Sequence, residues 1–493
     1  MRKFLLFSFL ICVISVNAQY FEMPNLTKEQ MRQDVEFLVR AIKEIEPNIL
    51  IREKVTGVDI YGEIDKLAKL VDTINNFENF YYLVQKILLL CQDQHENIKG
   101  YYPKGIEENN FYISEQAIEI SQKSDEQYYR YFPISSLPIM YIDGKFYFIQ
   151  NFYNDENFVH IPATAQLLDI NNISIDKYIN DWNIPIDNSV RWDDNNKKFY
   201  TQRLFSPKTT GLANNFLITY KLGNEIIDVE KGSLSFNTSL MTDLWKFSVQ
   251  YFEKDKILYI RIPSMDYEQI DFLTSEIKKY KSKKIKKVVI DIRYNGGGSD
   301  YVWHNVLSAL ISEPLKIKSN VYFYNTPLVR DYLINIRNEK IIKEFKVDDK
   351  EYIETNTSKF DTISPSDNSL NYSGKIYVLV NQRIFSSSLA FVSVCKQLKN
   401  LVTVGTPTGY ICGRSTTPFF LSLPNSKLIF QLVPCIDMTN KKKPIDYYDT
   451  QAEIPVKLDV NFYYDEAIYD RERYSKDFLY NHDPVFQKVL KLK

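Results

Sequence analysis

From Thr27 onward apolar residues recur every three or four positions: Met31, Val35, Leu38, Val39, Ile42 and Ile45. That spacing places them on one stripe of an α-helix. Thr27-Lys-Glu-Gln30 has the form of a capping box, and Pro47 closes the run. A second helix is predicted over about 59–71. A third carries Phe77, Phe80, Tyr81, Val84, Ile87, Leu88 and Cys91 on one face and runs into the polar segment Gln92-Asp-Gln-His-Glu-Asn97. Residues 19–115 therefore read as an N-terminal helical domain.

The period then changes. Ile139-Met-Tyr-Ile and Phe146-Tyr-Phe-Ile149 flank Asp143-Gly144, a hairpin signal. Further strands are predicted over 166–170, 215–220 and 226–229, with a turn at Asn171-Asn172 and a helix starting near Ser174. Clustered Pro and Asn over 183–214 predict a long loop. Residues 116–235 read as a β-rich module. Beyond about 240, strands (257–262, 287–292, 319–324, 376–380, 401–405) alternate with helices (267–280, 302–311 and one after Ser386). Such alternation indicates an α/β core over 240–480. Phe419–Leu423 and Leu428–Val433, on either side of Pro424-Asn425-Ser426, predict another hairpin.

Two junctions in this core carry candidate chemistry. The buried-strand pattern Ile376–Val380 gives way to Asn381-Gln-Arg383, then Ser386-Ser387-Ser388, then an apolar helix face. Serines at such a place can simply cap the helix. One can also act as a nucleophile, because the helix's unpaired N-terminal amides can hold an oxyanion. The second junction is Val288-Val-Ile-Asp-Ile-Arg-Tyr-Asn-Gly-Gly-Gly298. The chain has only 15 glycines, so three in a row after a strand carry information. They make a tight turn or let backbone N–H groups approach a ligand. No Gly-Lys-Ser/Thr follows, which excludes a phosphate loop.

Composition narrows the classes. The 493 residues carry 61 Lys+Arg against 62 Asp+Glu, a net charge of −1 that gives no electrostatic footprint for nucleic acid. Arg2 and Lys3, the apolar run Phe4–Val16, and Val16-Asn17-Ala18 have the form of a signal peptide over 1–18. The protein is expected to be exported, periplasmic or extracellular, with no membrane span once that segment is removed. Cys91 and Cys395 fall on apolar helix faces and are expected as buried thiols, while a Cys412–Cys435 bridge is the one pairing considered. No pair has metal-ligand spacing, and no metal or organic cofactor is expected.

In order, the chain shows V-V-I-D-I-R-x-N-G-G-G, then V-L-V-N-x-x-x-x-S, then V-G-T-P-T-G, then L-P-N-S. Together these motifs resemble the tail-specific (C-terminal processing) peptidases, the S41-type serine peptidases, over about 245–460. The resemblance implies a crotonase-like, ClpP-type ββα sheet as the α/β catalytic core over 240–480, and makes the β-rich module PDZ-like. It implies peptide or unfolded-protein substrates. Carried over by position, it makes Ser386 the nucleophile and Ser387, Gly296 and Gly297 the oxyanion-hole amides. Ile411 stands where the serine–lysine branch has its lysine, and Leu389 where many relatives have a glutamate. The tricorn-like branch takes a histidine from the N-terminal region instead, which points to His95 in Asp93-Gln-His95-Glu96, with His304 as rival. Asp449 aligns with the late acidic position, with Asp446 and Glu453 near it. The alternative to a peptidase is a binding protein of the same fold without turnover; a third reading applies the same triad to a non-peptide ester or amide.

Overall fold

The protein is described from a computed structural model, over residues 23–99, 113–131, 136–137, 139–153, 158–180, 191–193, 195–200, 204–205, 216–231, 246–347, 350–356, 358, 360–408, 419–441, 446, 451–469 and 472–492. Helix α1 spans Lys28–Ile45. Its capping box is formed: Gln30 N–H donates to Thr27 Oγ1 at 3.2 Å and Thr27 N–H to Gln30 Oε1 at 2.9 Å. An unpredicted helix, α2 (Asn48–Thr56), restarts directly after Pro47. The buried Glu46 carboxylate accepts the Asn48 and Ile49 amides and so satisfies its first turn. Helix α3 (Ile60–Lys69) is capped by Asp59, and α4 (Phe77–Leu89) by Asn76. Helix α5 (Glu115–Tyr131) opens the stretch read from sequence as β-rich, and its Ala117 packs on Phe420 and Ile429.

The β-rich module is an antiparallel sheet in the order 225–231, 216–222, 166–170, 145–148, 139–142. Asp143 and Gly144 both take positive φ, as a two-residue hairpin turn requires.

The α/β core is built on a six-stranded sheet. In chain order its elements are β1 (Ser248–Phe252), β2 (Ile257–Arg261), α6 (Ile270–Lys278), β3 (Lys287–Asp291), α7 (Asp300–Leu310), β4 (Ile376–Val380), α8 (Ser387–Cys395), β5 (Leu401–Gly405), β6 (Ile454–Pro455) and α9 (Pro484–Lys491). The strands lie side by side in that same order, β1 antiparallel and the others parallel. Alternate residues of the central strands face opposite layers. Leu258, Ile260, Ile290 and Val378 pack under α6, α7 and α8, through Leu273, Trp303, Leu307 and Phe391. Tyr259, Val289, Tyr377 and Leu379 pack on Leu479, Phe486 and Val489. Burial on both faces explains why these strands read as continuous apolar runs.

Sequence reading missed the hairpin 341–355, which joins 321–324 and 435–437 in a second sheet. Its outer strand, Ile341–Val347, is largely exposed and charged, so it shows no apolar alternation. One core unites α1–α4, this sheet and the hairpin 419–432, with Leu38, Ile42, Phe80, Val84, Phe323 and Phe430 in contact. The boundary drawn between the helical domain and the α/β domain is therefore crossed by a shared core. Cys91 and Cys395 are buried thiols. Cys435 is buried on strand 435–437, and Cys412 lies outside the described residues, as does the segment 1–18.

Candidate active site

Strands β3 and β4 are parallel neighbours, with Asp291 opposite Leu379, so the chain leaves both at the same end of the sheet. Two asparagines tie the departing loops together. Asn381 Oδ1 accepts the Tyr294 amide at 3.0 Å and the Arg383 amide at 3.1 Å. Asn295, fully buried, donates its side-chain amide to Ile262 O at 2.9 Å and accepts Gly297 N–H at 2.8 Å, while its backbone O takes Phe385 N–H at 3.0 Å. The glycine loop and the serine turn are thus fixed to each other by hydrogen bonds.

Ser386 stands immediately before α8 with φ 54° and ψ −123°. A serine rarely adopts positive φ, and such a turn holds the hydroxyl out from the strand end. Gly297 permits it. With φ +101°, a Cβ there would lie 2.6 Å from Ser386 Cβ and 2.8 Å from Phe385 O. Only a glycine lets the two loops approach this closely.

His95 arrives from the far end of the chain. The segment after α4 is stitched to the downstream hairpin: Ile98 pairs with Phe430, Lys99 N–H donates to Ile429 O at 2.8 Å, and Gln431 N–H donates to Asn97 O at 3.1 Å. Glu96 Oε1 accepts the Val433 amide at 3.0 Å. The hairpin's own turn is held by α1, where buried Asp34 accepts the amides of Asn425 and Ser426, each at 2.7 Å. This gives the L-P-N-S motif a physical role. Held so, His95 stacks on Phe385 with ring centroids 4.6 Å apart. Its Nε2 lies 3.3 Å from Ser386 Oγ, and its Nδ1 lies 2.8 Å from Asp93 Oδ1. An ionised carboxylate only accepts, so Nδ1 carries the proton and Nε2 presents its lone pair to the hydroxyl.

The other expected residues fall as follows. Asp449 and Ile411 lie outside the described residues. Glu453 is bonded to Thr403, accepting its amide at 2.8 Å and its hydroxyl at 3.2 Å. The His304 ring packs on Trp303. Leu389 packs into the α/β core. Of the three oxyanion-hole amides, that of Gly297 already donates to Asn295 Oδ1. In this structure that amide is engaged within its own loop. The amides of Gly296 and Ser387 donate to no partner among the described residues, and Gly296 is exposed. Ser387 Oγ donates instead to Asp300 Oδ1 at the start of α7.

Residues 256–443 match the family model of peptidase family S41. The chain thus carries an S41-type peptidase region. It is accordingly a serine-type peptidase. Among solved structures, mature CPAF is 14% identical, with 94% of this chain and 97% of that one covered and a TM-score of 0.57. A mutant of CPAF gives 14%, 94%, 98% and 0.59. These likenesses show the fold. A photosystem II D1 C-terminal processing protease also aligns, at 11% identity, 88% and 94% coverage and a TM-score of 0.42. No curated protein sequence matches the chain.

The peptidase keeps its imidazole beside an unusual buried group of charges. Asp93 is fully buried, which raises its pKa, but the charge and hydrogen bonds of His95, with Arg52 beyond, hold it below the usual carboxylate range. Burial pushes Glu46 up to about 7, with Asp93 adding to the rise and Arg52 and Asn48 opposing it. Burial, Glu46 and Asp93 likewise push Glu96 up. Under the sheet end, Asp291 is held by Tyr259 at 2.7 Å and by Arg293, whose Nη2 also reaches Asp483 at 2.6 Å. Burial opposes its ionisation, but Arg293 and Arg261 overcome this and hold its pKa low. It anchors the loop and points to no chemistry. Sequence reasoning named Asp93 only as a neighbour of His95, and it missed Asn295, Asn381 and Asp300. The D-x-H spacing was the one available signal, since it lets a carboxylate fold back on the imidazole two residues later.

Proposed function

We propose that this peptidase hydrolyses peptide bonds with Ser386 as nucleophile, His95 as general base and then general acid, and Asp93 as the carboxylate that orients His95. Ser386 Oγ attacks the scissile carbonyl carbon as its proton passes to His95 Nε2. Asp93 accepts the hydrogen bond from Nδ1–H, which keeps that proton on the ring, and stabilises the imidazolium. The amides of Ser387 and Gly296 receive the developing oxyanion. Collapse of the tetrahedral species expels the amine, which takes the proton from His95. Water then enters by the same route in reverse and frees the acyl group.

One observation carries this reading: a single imidazole reaches the Ser386 hydroxyl with one nitrogen, at 3.3 Å, and a buried carboxylate with the other, at 2.8 Å. The longer distance is in the range expected before substrate tightens a catalytic hydrogen bond. Asp449 would have to act on an imidazole whose Nδ1 is already engaged. The signal-like start of the chain supports export, which N-terminal sequencing at Gln19 would test. The order of strands over 139–231 is compatible with a PDZ-like module that presents substrate.

The decisive experiment is labelling with a fluorophosphonate, followed by peptide mapping. Wild type should label on Ser386 and cleave an unfolded protein substrate; Ser386→Ala should do neither. Cleavage that persists in Ser386→Ala would refute the mechanism. A folded wild type that neither labels nor cleaves would make it a binding protein.

A further inference from the structure

Two exposed tyrosines stand beside the glycine loop. Met265 N–H donates to Gly297 O at 2.8 Å, Ser299 N–H donates to Met265 O at 2.7 Å, and Met265 and Gly298 form a parallel bridge. Tyr267 follows Met265 by two residues, and Tyr301 follows Ser299 by two. Both rings are therefore carried by the backbone that props the loop against Ser386. They meet edge to face, with centroids 6.1 Å apart and planes at 87°. Tyr267 is nevertheless 64% exposed and Tyr301 66%. Paired large rings left this open next to a reaction centre are a surface prepared for contact.

The surroundings decide what the contact is. Residues 263–277 and 294–310 carry Asp266, Glu268, Asp271, Glu276 and Asp300 and neither lysine nor arginine. Glu268 and Asp271 are exposed. Glu276 is paired with Lys279 beyond these stretches, and Asp266, Glu268 and Asp271 leave the segment that carries Tyr267 net acidic. Electron-rich faces within a negative field attract a cation, repel a carboxylate and gain less from a neutral alkyl chain.

We propose that Tyr267 and Tyr301 form a subsite for a lysine or arginine side chain of the peptide being cut. The proposal rests on the peptidase reading of Ser386. It makes substrates basic close to the scissile bond the preferred class.

The test uses the purified protein and fluorogenic peptides that place arginine, lysine, norleucine or glutamate at successive positions around one scissile bond. Fluorophosphonate labelling is followed in parallel. At one position arginine or lysine should raise kcat/KM about fivefold over norleucine, with glutamate the poorest. The advantage should vanish in Tyr267→Leu and Tyr301→Leu, survive in Tyr267→Phe and Tyr301→Phe, and shrink at high salt. Thermal melts establish that the variants fold. If Ser386 labels but no basic preference appears, or the preference survives both leucine variants, the subsite is refuted and the peptidase reading stands. If Ser386 does not label, the peptidase reading fails and takes the subsite with it.

Discussion

His95 Nε2 lies 3.3 Å from Ser386 Oγ although 291 residues separate the two in the chain. The contact depends on a hairpin that neither residue belongs to: strand 429–432 binds the backbone on the far side of His95, and α1 binds that hairpin's turn. Function and the joining of the two ends of the chain are thereby one problem in this fold.

The proposed triad predicts distinct losses for distinct acids. Asp93→Asn should lower kcat by about 10³- to 10⁴-fold, because the imidazole loses the partner that fixes its tautomer. Asp449→Asn should leave kcat within about threefold if Asp93 fills that part. Steady-state kinetics on one peptide substrate decides between them; the reverse ranking would move the orienting role to Asp449.

Adjacent glycines should respond differently to the same methyl group. In Gly297→Ala the new Cβ would fall 2.6 Å from Ser386 Cβ at a φ of +101°. We expect a loss of about 2–4 kcal/mol in stability and near-complete loss of labelling. In Gly296→Ala the Cβ meets nothing within 4 Å. That variant should unfold within about 0.5 kcal/mol of wild type. Denaturant titration of both measures the contrast.

Asp34 connects the N-terminal helix to the catalytic region. Its buried carboxylate accepts two backbone amides and the Asn425 side chain, the last at 3.0 Å. Asp34→Ala leaves these donors without their acceptor and should destabilise by about 2–4 kcal/mol. Because the hairpin then holds the His95 segment less firmly, kcat should fall more than KM rises. A variant with normal stability and normal kcat would show that this link is dispensable.

Glu46 predicts a pH-dependent stability. Its folded-state pKa, pushed up to about 7 by burial, lies above the ordinary carboxylate value. Its contribution is fully present below about pH 4.5 and is lost as pH rises through 7. Glu96, pushed up for the same reason, acts in the same direction. Glu46→Gln, which resembles the protonated acid, should match wild type near pH 5 and exceed it by about 1–3 kcal/mol at pH 8.5. Denaturant midpoints at both pH values test this; equal midpoints at the higher pH would overturn it.

Much of the fold was readable from local pattern. The capping box at Thr27, the Asp143-Gly144 turn and the buried strands at 287–291 and 376–380 each follow from short-range sterics and periodicity. Helix α2 was missed because its first amides are satisfied by Glu46, a carboxylate one residue before the proline taken as a stop. The hairpin 341–355 was missed because its outer strand faces water and shows no alternation. The hydrogen bond from Gly297 N–H to Asn295 was likewise not legible: sequence shows that an amide can be offered, and only the fold shows Asn295 accepting from it.

Sequence alone determined the strand–turn–serine–helix unit and the glycine loop, because both obey rules that act within a few residues. It also confined the chemistry to a hydroxyl and a small set of histidines and acids. Tertiary structure brought His95 to Ser386 and Asp93 to His95. That placement rests on hydrogen bonds between segments hundreds of residues apart, and the chemical identity of a side chain does not encode which distant backbone will hold it in place.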